Sequence, residues 1–138
     1  MLRSGGGLAL LSAVAWGFWG ICSKLSANRD MPPGLLAFLS ACASFTVITL
    51  YYVWQRVPLA RTPTGLLFAL LSGVCGAVGM LLFAHAIKLG NAAIIVTLTA
   101  TYPAFTVLLS LVLLREQISL LHAVGVLLVT LGVILVAR

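Results

Sequence analysis

The chain has almost no charge, and what it has is nearly all of one sign. Its 138 residues carry eight Lys or Arg and two Asp or Glu, and charged residues make up 7% of the total. Soluble globular domains carry about a quarter, so that class is excluded. Both acids, Asp30 and Glu116, sit beside a basic residue, and no carboxylate lies within a long apolar run. Proton-driven carriers typically keep a carboxylate inside the membrane that exchanges protons as substrate binds; such a group is lacking. The three cysteines, Cys22, Cys42 and Cys75, are odd in number and form no CxxC pair. They therefore predict buried packing rather than a disulfide framework or a metal site. His85 and His122 have no Cys or carboxylate at ligand spacing, so no metal is expected. Nucleophile–base pairs, phosphate loops and metal clusters are likewise missing, which predicts that the chain is not an enzyme and uses no cofactor. The net charge of +6 comes from single residues at the ends of apolar runs. Nucleic-acid binding would need them clustered on one face, so no nucleic-acid partner is expected; anchoring at lipid headgroups explains them better.

What remains is hydrophobic length. The ten charges leave uncharged runs at 4–23, 31–55, 62–87, 89–114 and 117–137. Crossing a hydrocarbon core takes roughly 20 apolar residues at about 1.5 Å each, and every run qualifies. The chain is therefore expected to be an all-α membrane protein of five transmembrane helices, forming one small domain over residues 1–138, with spans at about 5–24, 33–54, 65–86, 92–114 and 119–137. Arg3 followed by apolar residues and Ala13-Val14-Ala15 outlines a secretory signal. The run continues to full spanning length, so an uncleaved first helix is expected.

Threading the runs alternately places Arg3, Arg56, Arg61 and Arg115 on one face and Lys24, Arg29, Lys88 and Arg138 on the other. Orientation normally follows an excess of Lys and Arg on the cytoplasmic side. Here the count is four against four, with one acid on each side. Neither orientation is favoured.

Pro32-Pro33-Gly34 opens the second span with proline in the first turn, where no intrahelical N–H is lost. Tyr51, Tyr52 and Trp54 close that span as an interfacial aromatic group. Gly90, before Asn91, suits a helix C′ position. Short connectors imply that successive helices run antiparallel. The third span is rich in small residues: Ala69, Gly73 and Ala77 repeat at i+4, as do Ser72 and Gly76, with Gly79 beyond. Helices approach closely at such residues, which suits a central place in the bundle. Gly17 and Gly20 mark the first span in the same way, and Gly125 and Gly132 the fifth.

Polar side chains within spans are few. Thr99, Tyr102, Thr106 and Ser110 follow at steps of three, four and four on one helical face. Pro103 lies among them and frees the carbonyl of Thr99 from its usual donor. Breaks of this kind often border cavities, so these four are candidate substrate-binding residues and Pro103 a candidate hinge. Hydroxyls bonding back to their own helix fit the same pattern. Trp16 and Trp19, with Ser12 and Ser23, form a second stripe too deep for an interfacial belt. An indole N–H in hydrocarbon needs a partner, so both tryptophans are candidate cavity residues, though apolar packing with a satisfied N–H is the plainer reading. Lys24, at the end of that helix, is expected to snorkel to the headgroups.

The stretch 86–138, AIKLGNAAIIVTLTATYPAFTVLLSLVLLREQISLLHAVGVLLVTLGVILVAR, resembles the second half of an EamA domain of the drug/metabolite transporter superfamily. The features carrying the resemblance are small residues after the Gly90-Asn91 turn, Tyr102-Pro103, Glu116 followed by Ser119, and Gly125 and Gly132 in the last span. Trp16-Gly17 with Lys24 downstream adds a further recurring feature. Relatives often have glycine before the loop glutamate, where this chain has Arg115. The resemblance implies one half of an inverted-repeat transporter fold, since typical relatives carry two such domains in ten spans and export amino acids or other metabolites. It points to the small five-span bacterial and archaeal branch, and so to the prokaryotic inner membrane. A five-span unit has its ends on opposite faces, so two copies must lie head to tail to mimic an inverted repeat. The expected function is small-metabolite transport by an antiparallel homodimer with a cavity between copies. A lipid-linked substrate flippase and a non-transporting assembly subunit are the alternatives. The small multidrug-resistance proteins are four-span cousins that depend on a glutamate in the first helix; residues 9–22 contain none, which argues against proton-driven export of lipophilic cations.

Overall fold

The computed structural model describes residues 5–56 and 62–136, and every regular element among them is helical. Arg3, Arg61 and Arg138, three of the charges in the topology count, lie outside the described residues. In chain order the helices are α1 (Gly5–Ala27), α2 (Pro33–Gln55), α3 (Pro63–Leu89), α4 (Ala92–Thr99), α5 (Tyr102–Leu109) and α6 (Leu120–Val136), with a π-helical turn at Ser110–Leu114 following α5. Four apolar stretches are long enough to cross a membrane: α1, α2, α3 and the interrupted stretch Ala92–Leu114. The fifth, α6, has 17 described residues, or about 25 Å, at the short end of the spanning range. This is the expected all-α membrane fold.

Two compact units make up the chain, residues 1–89 and 90–138. In the first, α1, α2 and α3 pack against one another. The packing is confined to one end. Its buried residues are Gly20, Ser23 and Ala27 on α1, Leu36 and Ala37 on α2, and Phe83, Ala84 and Ile87 on α3. The α1 set recurs at steps of three and four, which aligns it into one stripe. Proline begins α2 as anticipated: Pro32 is the N-cap, Pro33 the first helical residue, and the carbonyl of Pro32 accepts from the Leu36 N–H at 2.9 Å. Near the opposite end of α2, the Tyr51 and Trp54 rings lie 6.4 Å apart and both are exposed.

Three expectations are corrected here. The glycines of α3 seat no neighbour among the described residues. Although α3 touches both α1 and α2, a methyl group placed on Gly73, Gly76 or Gly79 would meet no other atom within 4 Å. Nor are the cysteines buried: Cys22, Cys42 and Cys75 are free and exposed, because burial in this unit is limited to the stripe and its partners. Lys24 does not simply extend to the headgroups. Its Nζ donates to the carbonyl of Ile87 at 3.0 Å, one of the last four carbonyls of α3, which have no donor within their own helix. A cation at a helix C-terminus also meets the negative end of its dipole.

That bond gives a direct test. Lys24→Met keeps most of the stem and removes the donor from a partly buried site, and is expected to cost about 1–2 kcal/mol. Thermal unfolding in detergent should show the transition falling by several degrees; an unchanged transition would mean the bond is not formed.

In the second unit α6 packs on both α4 and α5, and Val133 of α6 is buried. Asn91 starts α4 as an N-cap, its side-chain oxygen accepting from the Ala93 N–H at 2.8 Å. Gly90 is a bend, and none of the described glycines has a positive φ, so the expected left-handed C′ glycine is not used; the asparagine cap sets the turn instead. The fourth span, expected as one helix, is interrupted at residues 100–101. There the Thr101 N–H donates to Leu98 and the Ala104 N–H to Thr101, both three residues back. Pro103 has no N–H to offer Thr99, and the amide that would ordinarily reach Ala100 is diverted. The tightening therefore begins before the proline, as a 3₁₀-like turn.

Candidate functional site

The sequence-selected residues fall into distinct environments. On α1, Trp16 is 59% exposed, whereas Trp19 is half-buried and stacks on Phe83 of α3, with ring centroids 4.5 Å apart and planes 29° from parallel. Such pairs contribute about 0.5–1.5 kcal/mol beyond area burial. Below it the buried Ser23 hydroxyl donates to the Trp19 carbonyl at 2.8 Å, and Lys24 reaches Ile87. Trp19 and Lys24 thus fasten α1 to the end of α3, while Ser23 bonds within its own helix.

Around the break in the fourth span, the hydroxyls of Thr99, Thr101, Thr106 and Ser110 donate to carbonyls of their own stretch, those of Ile95 (2.8 Å), Leu98 (2.6 Å), Tyr102 (3.2 Å) and Val107 (3.0 Å). This back-bonding bends helices and satisfies hydroxyls without a neighbour. It spends the proton of each hydroxyl while its oxygen can still accept. The carbonyls of Thr99 and Ala100 have lost their usual donors, which makes the break rich in acceptors. Thr99, Tyr102 and Thr106 are exposed and Ser110 is half-buried. Thr106 and Ser110 share a shallow hollow of about 250 Å³ floored by Leu109, Leu113 and Leu114.

A larger groove of about 330 Å³ opens between the break and α6. Thr101, Pro103, Ala104, His122, Gly125 and Thr130 are among its lining residues. Of the candidates, Pro103 alone reaches it. Gly125 faces open space, since a methyl group there would meet nothing within 4 Å. Thr130 is committed to the Val126 carbonyl at 2.9 Å. His122 was missed as a candidate. Its ring Nδ1 hydrogen-bonds the Ser119 hydroxyl, and that oxygen accepts the His122 N–H at 3.3 Å. The legible signal was serine three residues before histidine at the start of an apolar run, the spacing of an N-cap with its third helical residue. What the break provides is a bend, a row of carbonyl acceptors and apolar walls.

The helix after the break ends at Arg115, whose backbone is left-handed (φ 54°, ψ 33°), with its N–H and that of Glu116 both donating to the Ser110 carbonyl. Glycine fits this conformation without a Cβ penalty, and here arginine holds it.

Comparison with known proteins agrees with this architecture. No solved structure matches the chain. Among curated proteins, an uncharacterized protein of Methanocaldococcus jannaschii is 38% identical over 72 residues, covering 52% of this chain and 53% of that protein. The matched region thus spans about half the length of that relative. A family model, described as the EamA-like transporter family, matches residues 3–138. With its apolar helices and this near-complete match, the chain belongs to the EamA-like transporter family, as a single unit of the drug/metabolite transporter superfamily.

Proposed function

We propose that the protein moves a small, polar or amphipathic metabolite, an amino acid or related solute, across the prokaryotic inner membrane, and that its working unit is two copies inserted in opposite orientations around a shared cavity. The observation that carries this reading is the interrupted fourth span, where Pro103 leaves the Thr99 carbonyl without its helical donor inside a membrane-spanning stretch. Carbonyls without a helical donor are poorly suited to face lipid tails, and a second copy would cover them. The balanced Lys and Arg count supports insertion both ways round. In this reading Trp16, Trp19, Thr99, Tyr102, Thr106 and Ser110 contact substrate and Pro103 serves as the hinge. The carbonyls freed near Pro103 suit a solute with hydrogen-bond donors. No acidic counter-charge lies in the spans, so a permanent cation is disfavoured.

Uptake of labelled amino acids into proteoliposomes tests it. Tyr102→Ala and Trp16→Ala are each expected to lower flux about tenfold, a change of ~1.4 kcal/mol in the rate-limiting barrier. Wild-type flux from both variants removes the site assignment. Translocation of a lipid-linked sugar headgroup without soluble flux would instead identify a flippase. Absence of any flux, with a second membrane protein co-purifying, would identify an assembly subunit.

A further inference from the structure

Three residues other than glycine hold a positive φ among the described residues: Asp30 (60°), Arg56 (49°) and Arg115 (54°). All are charged. The chain has 13 glycines, and none of the described ones occupies this region. Glycines lie within helices at Gly17, Gly20, Gly73, Gly76, Gly79, Gly125 and Gly132, where each weakens the helix relative to alanine. Backbone economy alone would place glycine at the helix ends and alanine inside. Asp tolerates the left-handed region through its short side chain; arginine has no such compensation.

Arg56 and Arg115 occupy equivalent positions. Arg56 is the C-cap of α2 (φ 49°, ψ 36°), its N–H donating to the Val53 carbonyl, and Arg115 is the C-cap of the π-helical turn. Alternation of spans assigns both to the same membrane face, where they supply two of its four positive charges. Among the described residues, neither has an ion pair to a carboxylate that would reward an arginine at that site. The quantity glycine would sacrifice at either position is the charge itself.

We infer that Arg56 and Arg115 are kept at strained helix ends for their charge, and that together they hold the orientation count level. This deepens the opposed-copy reading and rests on it. Removing either arginine leaves three positive charges facing four, and the face bearing Lys24, Arg29, Lys88 and Arg138 then becomes the cytoplasmic one.

The test scores a tag at the C-terminus of the full chain on both faces of the membrane. Wild type is expected to divide roughly evenly. Arg56→Gly and Arg115→Gly should each move the tag predominantly to the cytoplasm, and the double variant almost wholly, without lowering the unfolding temperature because the strain is relieved. Arg56→Lys and Arg115→Lys keep the charge and should divide as wild type does. Lys88→Gln should move the tag the other way. Glycine variants that divide like wild type while Lys88→Gln shifts the tag overturn the role of the arginines and leave opposed insertion standing. A wild-type tag found only outside the cell overturns opposed insertion and the level count together. A wild-type tag found only inside overturns both.

Discussion

Replacing Ala84 with leucine should unseat α1 from α3. Ala84 is 2% exposed, between Phe83 and Ile87 at 7% and 0%, so the added carbons have no free volume to enter. Overfilling a packed site costs about 1–3 kcal/mol. Here the effect should approach the upper end, because the same few residues carry both the Trp19–Phe83 stack and the Lys24–Ile87 hydrogen bond. In lipid the tails are as apolar as the side chains, and helices associate through close packing and interhelical hydrogen bonds. Displacing α1 by an ångström or two would forfeit both together. Thermal unfolding in detergent, followed by tryptophan fluorescence, should show an early transition and an altered emission from Trp19. Val74→Leu on the same helix is the control, since Val74 is 61% exposed; it should be silent. Equal stability of the two variants would contradict the packed end described for this unit.

Pro103→Ala should straighten the fourth span and slow transport. Alanine restores an N–H that can reach the Thr99 carbonyl, and is favoured over proline in a helix interior by up to about 3 kcal/mol. Proline sits near the start of α5, where its penalty is reduced, so the gain should be about 1–2 kcal/mol. The variant is therefore expected to unfold later than wild type while its flux falls roughly tenfold, or ~1.4 kcal/mol in barrier. Greater stability with less activity is the signature of a bend kept for movement. A variant that transports as fast as wild type would reduce the proline to a structural kink.

The spans were legible because charge and proline mark their ends: Pro33 begins α2, Asn91 caps α4, and Lys24, Lys88 and Arg115 lie in or beside last turns. The interruption of the fourth span was legible only in part. Pro103 announced a lost donor, yet the tightening starts at Thr101, whose N–H bonds Leu98. That choice depends on backbone geometry rather than residue type. Features needing two helices at once were not legible. Nothing in the sequence pairs Lys24 with a carbonyl 63 positions away, or separates Trp19, stacked on Phe83, from Trp16 one turn earlier. The left-handed Arg56 and Arg115 were hidden for a different reason. Pattern reading looks for glycine at such positions, and this chain puts charge there. His122 was set aside as an unlikely metal ligand, although its spacing from Ser119 carried a cap signal.

The central claim, that the active unit is two opposed copies, is tested most directly by joining them. In a tandem with a short hydrophilic linker, the five spans of the first copy end on the face where an inverted second copy begins, so the pair is forced antiparallel. Inserting one additional spanning helix in the linker forces the copies parallel. Flux of labelled amino acids through the short-linked tandem should match the unlinked protein, and the helix-linked tandem should be inactive. Activity confined to the helix-linked tandem would contradict the account.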